Sequence, residues 1–211
     1  MKHIAESTVR RLSLYLRFLE DYRRQGLDTI SSGDLASLGG TTSAQVRKDL
    51  SFFGSFGTRG LGYSVPALAR RIREILGLER EWRVLIVGAG KIGAALAQFR
   101  GFGERGFRVV GIYDIDASKV GTSLDGITVR DQSDLDADLR ALKPDMVLIA
   151  VPPEAAQAVV DRAAKAGVQA MLNFAPASLH APAGVTVRTV DMALELEILS
   201  YALVSAKAAQ R

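Results

Sequence analysis

Apolar residues recur at two periods along the chain, and the change falls near residue 82. Before it the period is helical. Val9, Leu12, Leu16 and Leu19 predict a first helix, with Ser7 or Thr8 as cap and Gly26 as stop. A second, short helix fits 32–38, capped by Ser31 or Ser32, with Leu35 and Leu38 facing inward. The turn Gly39-Gly40-Thr41-Thr42 leads into a third helix, capped by Thr42 or Ser43 and running to about Phe53. Gly54, Gly57, Gly60 and Gly62 are too closely spaced for a helix and suit a tight hairpin or wing. Pro66 is placed to open a fourth helix, 67–76, which Gly77 ends.

From Arg83 onward, short runs rich in Val, Ile and Leu alternate with helical patterns. Strands are expected at 83–87, 108–113, 146–150, 169–173 and 186–190, and helices at 91–99, 134–142, 154–166 and 191–208. That alternation predicts an α/β architecture: a helical amino-terminal domain (1–81), a Rossmann-like, doubly wound parallel sheet (82–190) and a terminal helix (191–211). The terminal helix carries Met192, Leu194, Leu196, Ile198, Leu199, Leu203 and Val204 on several faces. It needs cover beyond its own sheet, so a dimer contact or an exchanged element is expected.

Composition narrows the function. Of 211 residues, 48% are apolar and 24% charged, as in ordinary globular proteins. The absence of cysteine excludes disulfides and thiolate metal sites. No signal-peptide pattern opens the chain and no apolar run approaches the ~20 residues of a membrane span, so a cytoplasmic protein is expected. The net charge of +4 is unevenly placed. Residues 1–81 hold 13 Lys+Arg against 9 Asp+Glu, whereas 82–211 hold 14 of each. Within 41–73, six bases (Arg47, Lys48, Arg59, Arg70, Arg71, Arg73) face one acid, Asp49, a clustering that points to nucleic acid.

The strand at 83–87 feeds a G-x-G-x-x-G turn, Gly88-Ala89-Gly90-Lys91-Ile92-Gly93, which opens a helix. Gly88 permits the tight turn, Gly90 lets backbone approach a pyrophosphate, and Gly93 allows close helix–strand packing. The pyrophosphate then meets unpaired N–H groups at the helix start, and Lys91 is available to it. Asp114 ends the next strand at the distance expected of an acid that binds a ribose 2′-OH; its carboxylate would repel a 2′-phosphate and favour NAD(H) over NADP(H). The plain alternative is a strand-end acid capping a turn with Asp116. Val151-Pro152 and Asn173-Phe174 follow later strands at the carboxyl edge, where such sheets bind ligands.

In the amino-terminal domain, helix, glycine turn and helix followed by a glycine-rich hairpin match a winged helix-turn-helix. The second helix would present Ser43, Gln45, Val46, Arg47 and Lys48 to a major groove. Lys48 suits guanine acceptors or phosphate, Arg47 phosphate, and Gln45 adenine. Arg59 in the wing suits a minor groove. A small helical domain with a solvated basic face is the alternative. No catalytic constellation emerges, and no metal site. His3 and His180 lie apart, and there is no H-E-x-x-H and no G-x-S-x-G. Asp191 reads most simply as the cap of the terminal helix, and Arg17 as solvated.

Together these residues resemble the Rex family of bacterial redox-sensing transcriptional repressors, over nearly the full length. The most specific stretch runs from Gln45-Val-Arg-Lys-Asp-Leu-Ser-Phe-Phe-Gly to Arg59-Gly-Leu-Gly-Tyr63; Val87–Gly93, 151–157 and 172–176 support it. The resemblance implies a homodimer that exchanges its terminal helices, binds operator DNA and releases it when NADH binds, so reading the NADH/NAD⁺ ratio. It adds Ser51 and Tyr63 to the DNA-binding set, and implies that Arg17 and Asp191 form a switching ion pair. It also puts Phe99 beside the nicotinamide, where family members usually carry tyrosine, so a hydroxyl is missing there. Two other readings stand beside it: an NAD-dependent oxidoreductase, and a CoA-binding Rossmann subunit, each with a helical appendage.

Overall fold

The computed structural model describes residues 4–54, 57 and 61–208. It divides into two compact units between Arg80 and Glu81. The first contains α1 (Glu6–Arg24), β1 (Thr29–Ile30), α2 (Ser32–Leu38), α3 (Ser43–Ser51), β2 (Tyr63–Ser64) and α4 (Val65–Ile75). Leu12, Tyr15, Leu16 and Leu19 of α1 pack with Leu35, Val46, Leu50, Leu68 and Ile72 in one apolar cluster. Two details of the first helix depart from expectation. Its N-cap is Ala5 rather than Ser7 or Thr8, because the Thr8 hydroxyl is turned into the interior toward Asp49. Val9 is exposed, and Tyr15 takes the buried position instead.

The later helices of this unit start where a side chain meets their first free N–H groups. Ser31 caps α2 reciprocally with Asp34, Thr42 caps α3, and Ser64 caps α4 with Pro66 in the first turn. Leu38, expected inside, is exposed. At seven residues, α2 buries one narrow stripe, which Leu35 and Ala36 already fill. The expected wing lies mostly in residues 55, 56 and 58–60, and with it Arg59, outside the described residues. Its visible root is β2, whose Tyr63 and Ser64 pair antiparallel with Ile30 and Thr29. A two-residue partner such as β1 is too short to show a period in the sequence.

The second unit contains β3 (Trp82–Val87), α5 (Lys91–Ala97), β4 (Phe107–Asp114), β5 (Ser123–Leu124), β6 (Ile127–Asp131), α6 (Leu135–Leu142), β7 (Met146–Ile149), α7 (Pro153–Lys165), β8 (Ala170–Asn173), β9 (Thr186–Thr189) and α8 (Met192–Ala208). The strands lie in the order β5-β6-β4-β3-β7-β8-β9, and all pairs are parallel except β5 with β6. The chain leaves β3 toward β4 and β6, then returns to build β7, β8 and β9 on the other side. The order therefore reverses beside β3, the place where open α/β sheets bind ligands at their carboxyl ends. β5 and β6 were not expected; Asp125 and Gly126, both at positive φ, form the turn between them.

Leu135, Leu139, Val159, Val160 and Ala163 from α6 and α7 cover one face of this sheet. On the other face α5 contributes Ala97 and Leu96. It ends at Ala97, two residues before the expected end, and an apolar groove of about 320 Å³ lies over Val84, Met146, Leu148 and Leu172. The apolar residues of α8, from Met192 to Val204, are all exposed.

Candidate functional site

The turn after β3 is built around three glycines under different constraints. Gly88 has φ +100, and a Cβ there would collide with the Ala150 carbonyl at the end of the neighbouring β7. A Cβ on Gly93 would overlap the Gly88 carbonyl oxygen, so helix and turn touch through backbone alone. Gly90 is different. It has an ordinary negative φ, and a Cβ there would meet nothing within 4 Å. The protein itself makes no demand for glycine at 90, and the open space beside its backbone is room for a group from outside.

Asp114, at the end of β4, closes the turn from below. Its Oδ2 accepts the Ala89 N–H at 2.6 Å and Lys119 Nζ at 3.3 Å, and its Oδ1 accepts the Asp116 N–H at 2.8 Å. Burial by itself would raise this carboxyl's pKa. The N–H groups of Asp116 and Ala89, with the Lys119 ammonium, outweigh burial and hold it below the ordinary value. Asp114 thus caps the turn at Asp116, and its Oδ1 accepts that one bond alone. Lys119, 3.3 Å from both Asp114 and Asp116, was not singled out in the sequence. Five residues beyond the strand end, it carries no motif signal.

Lys91 and Ile92 lie exposed at the start of α5. Val151, half-buried, and Pro152, exposed, follow β7 on the same edge of the sheet as Gly88. Asn173 and Phe174 end β8 beside them, but Asn173 is fully buried. Its amide donates to the Ala175 carbonyl at 2.8 Å and to Thr189 Oγ1 at 3.3 Å, and its oxygen accepts the Ala175 N–H at 2.9 Å. Its polar atoms organise the loop that follows β8. The structure does not bring Phe99 to this edge. Its ring is 58% exposed, packs edge-to-face on Phe102 and borders a groove with Glu81, Arg108, Asp125 and Ile127, at the amino-terminal ends of the strands. The physical reason is the direction of α5, which runs from the glycine turn back along the sheet.

In the first unit, Ser43, Gln45, Arg47, Lys48 and Ser51 lie on α3. Arg47, Lys48 and Ser51 are exposed, Ser43 and Gln45 half-buried, and Val46 sits in the core. Lys48 has no side-chain partner among the described residues, whereas Arg47 donates to Ser32 Oγ at 3.0 Å. Tyr63 is only 8% exposed and belongs to the core cluster. It supports the root of the wing from beneath and does not stand out as a contact. Asp49, which no sequence motif marks, is fully buried on α3 and bonded to Arg11, Tyr15, Thr8 and Gln45. Its one signal was negative: it is the lone acid in a basic run.

Arg17 is exposed on α1, with no partner among the described residues. Asp191 precedes α8, and its Oδ1 accepts the N–H groups of Ala193 at 2.9 Å and Leu194 at 3.2 Å, so it caps that helix. Among the described residues no group of three or more His, Cys, Asp or Glu is arranged for a metal. No described helix is long and apolar enough to cross a membrane.

Comparison with known proteins bears on both units. Residues 3–51 match the family described as putative DNA-binding protein N-terminus, and residues 79–177 the family described as CoA binding domain. The redox-sensing transcriptional repressor Rex of Desulfitobacterium hafniense is 48% identical, over 94% of this chain and 94% of its own length. That of Streptomyces griseus is also 48% identical, over 94% of this chain and 78% of its own. A crystal structure of the repressor RSP with NAD⁺ and operator DNA is 32% identical, with a TM-score of 0.92, covering 100% of this chain and 97% of that one. RSP with NADH gives 31% identity and a TM-score of 0.90 over 100% and 99%.

Proposed function

The chain belongs to the Rex family of redox-sensing transcriptional repressors, and on that premise we propose that it holds operator DNA as a homodimer and releases it when NADH binds. The oxidoreductase and CoA-subunit readings give way, since the relatives matched over nearly the whole chain are repressors. The observation that carries the nucleotide half is the pairing of Gly90, whose backbone faces open space, with Asp114, whose Oδ1 has an acceptor position to spare. These fit a pyrophosphate and a ribose hydroxyl. Gly88, Ala89, Lys91, Ile92 and Gly93 complete the turn, and Val151, Pro152 and Phe174 wall the nicotinamide side. Asn173 fixes that wall. Phe99, at the other end of the sheet, takes no part in this set. The charge on Asp114 disfavours a 2′-phosphate, so NADPH is the weaker ligand.

On the DNA side, Ser43, Gln45, Lys48 and Ser51 face the major groove, Arg47 a phosphate, and Arg59 the minor groove. The exposed apolar faces of α8 and the uncovered groove on the α5 side of the sheet supply surfaces that a second copy would cover. Arg17 of one subunit and Asp191 of the other pair in the DNA-binding state. The oxidised nicotinamide carries a positive charge that the reduced form lacks, so charged groups within reach feel its redox state. Repositioning the two α3 helices then loses register with half-sites about one helical turn apart. Both DNA and NADH are met in the cytoplasm, where the protein acts.

Selection from a random duplex pool tests the DNA half. A two-fold symmetric site is expected, bound less tightly as salt rises because counterions are released. Lys48→Ala should cost about 1–3 kcal/mol if Lys48 reads a base. Absence of salt-dependent binding to any selected duplex overturns the reading.

A further inference from the structure

Asp49 follows the exposed Arg47 and Lys48 on α3 and is wholly buried. Its carboxylate collects five hydrogen bonds. Arg11 Nε donates to Oδ2 at 2.6 Å and Arg11 Nη2 to Oδ1 at 2.7 Å. The Tyr15 hydroxyl donates to Oδ2 at 3.1 Å, the Thr8 hydroxyl to Oδ1 at 3.4 Å, and Gln45 Nε2 to Oδ1 at 2.8 Å. Thr8, Arg11 and Tyr15 lie at spacings of three and four along α1, so one helix face supplies four of the five bonds. Apolar residues would join two helices at least as well, since burying a charge is costly even when it is paired. They would not fix the direction of Gln45.

A carboxylate only accepts hydrogen bonds, so Gln45 must turn its amide nitrogen toward Asp49. An amide has two N–H donors and one acceptor oxygen. With one N–H spent on Asp49, the oxygen and one N–H remain, and adenine offers the matching N6 donor and N7 acceptor. Guanine offers two acceptors, O6 and N7, and its O6 would face the Gln45 oxygen. The Thr42 hydroxyl accepts the Gln45 backbone N–H at 3.1 Å, which places this residue in the first turn of α3, where base-reading side chains sit.

We propose that Asp49 is a positioning residue for sequence readout: anchored by Arg11 and Tyr15, it fixes the Gln45 amide so that Gln45 selects adenine over guanine at one base pair in each half-site. This rests on α3 being the recognition helix. A freely turning amide would serve guanine as readily by presenting its NH₂ group, so discrimination depends on the anchor and not on glutamine alone.

The test is a random-site selection with the full chain, followed by affinities for duplexes in which the Gln45-dependent A·T pair is replaced by G·C. For the unmutated protein this change should weaken binding roughly 5- to 150-fold. Gln45→Ala should abolish the preference at that pair and leave the other positions as they are. Asp49→Asn should erode the preference at the same pair only. If its circular dichroism shows that it does not fold, Arg11→Lys, which keeps the charge but not the two-pronged grip, should do the same to a smaller degree. The proposal is overturned if Gln45→Ala leaves every base preference intact, or if the folded anchor variants keep full discrimination or weaken all sequences alike. If the unmutated protein selects no duplex at all, the recognition-helix reading fails with it, a result distinct from a selected site with no adenine preference.

Discussion

Asp49 in the amino-terminal unit and Asp114 in the carboxy-terminal unit are both buried carboxylates, and they differ in what remains of their acceptor capacity. Asp49 spends its on Arg11, Tyr15, Thr8 and Gln45. Asp114 receives three bonds, two on Oδ2 and one on Oδ1. Burial alone would raise both pKa values. Donors win in each case: Arg11, Gln45 and Tyr15 at Asp49, two backbone N–H groups and Lys119 at Asp114. The first acid is closed and fixes a helix that acts on something else. The second is left one bond short at the carboxyl end of β4, which is what the proposed contact with a ribose hydroxyl needs. Burial and charge do not separate the two roles; the count of unfilled acceptor positions does.

The largest effect that would break this contrast is on stability. Asp49→Ala strands the Arg11 guanidinium and should cost about 3 kcal/mol, read by denaturant unfolding, while leaving NADH affinity unchanged. Asp114→Ala should show the reverse balance, with a stability loss of about 1–2 kcal/mol, a large drop in NADH affinity and a relaxed preference over NADPH by calorimetry. Equal affinities for NADH and NADPH in the unmutated protein would remove Asp114 from that role.

The glycine turn sharpens the open half of the comparison. Gly93→Ala drives a Cβ into the Gly88 carbonyl and should destabilise the unit by about 1–3 kcal/mol. Gly90→Ala meets no protein atom, so its melting temperature should hold while NADH binding weakens. Unchanged NADH affinity in Gly90→Ala means that the open space does not hold the ligand.

A smaller effect is the pH response. A carboxyl whose folded pKa lies below its unfolded value of about 3.9 stabilises the fold above that pH. The contribution is lost as pH falls through the folded pKa. Asp49 and Asp114 are therefore silent between pH 5 and 8 and tell only in acid. Tyr15 works at the other end. Burial, with Asp49 beside it, pushes its hydroxyl up to about 12. The folded state then keeps a proton that the unfolded chain releases above about 10, and stability falls from there upward. The stability gap between the unmutated protein and Tyr15→Phe should narrow from pH 7 to pH 11; a constant gap argues against the Tyr15–Asp49 contact.

The sequence made the open site easier to see than the closed one. Asp114 stands at a fixed distance from a glycine pattern, and both follow from the geometry of a single strand–turn–helix–strand unit. Asp49 is defined by α1, some forty residues away, and no local spacing announces a partner so remote. Helix starts were legible where Ser or Thr precedes an apolar period, and failed at Thr8, whose hydroxyl has a tertiary use. The Asp125-Gly126 turn between Leu124 and Ile127 is a strong hairpin signal, but its flanking strands of two and five residues scarcely alternate and so show no period. Phe99 was placed by resemblance alone, and only the course of α5 shows that it faces the other end of the sheet.

The claim that joins the two units is that a dinucleotide in one governs DNA in the other. It is tested most directly by the affinity for a selected operator duplex with and without saturating NADH, for the unmutated protein, Arg17→Ala and Asp191→Ala. The expected result is a 5- to 150-fold loss of DNA affinity on adding NADH, a coupling of ~1–3 kcal/mol, sharply reduced in both variants although each still binds NADH. Equal DNA affinity with and without NADH in the unmutated protein would contradict the account. Full coupling in both variants would take the switch away from Arg17 and Asp191.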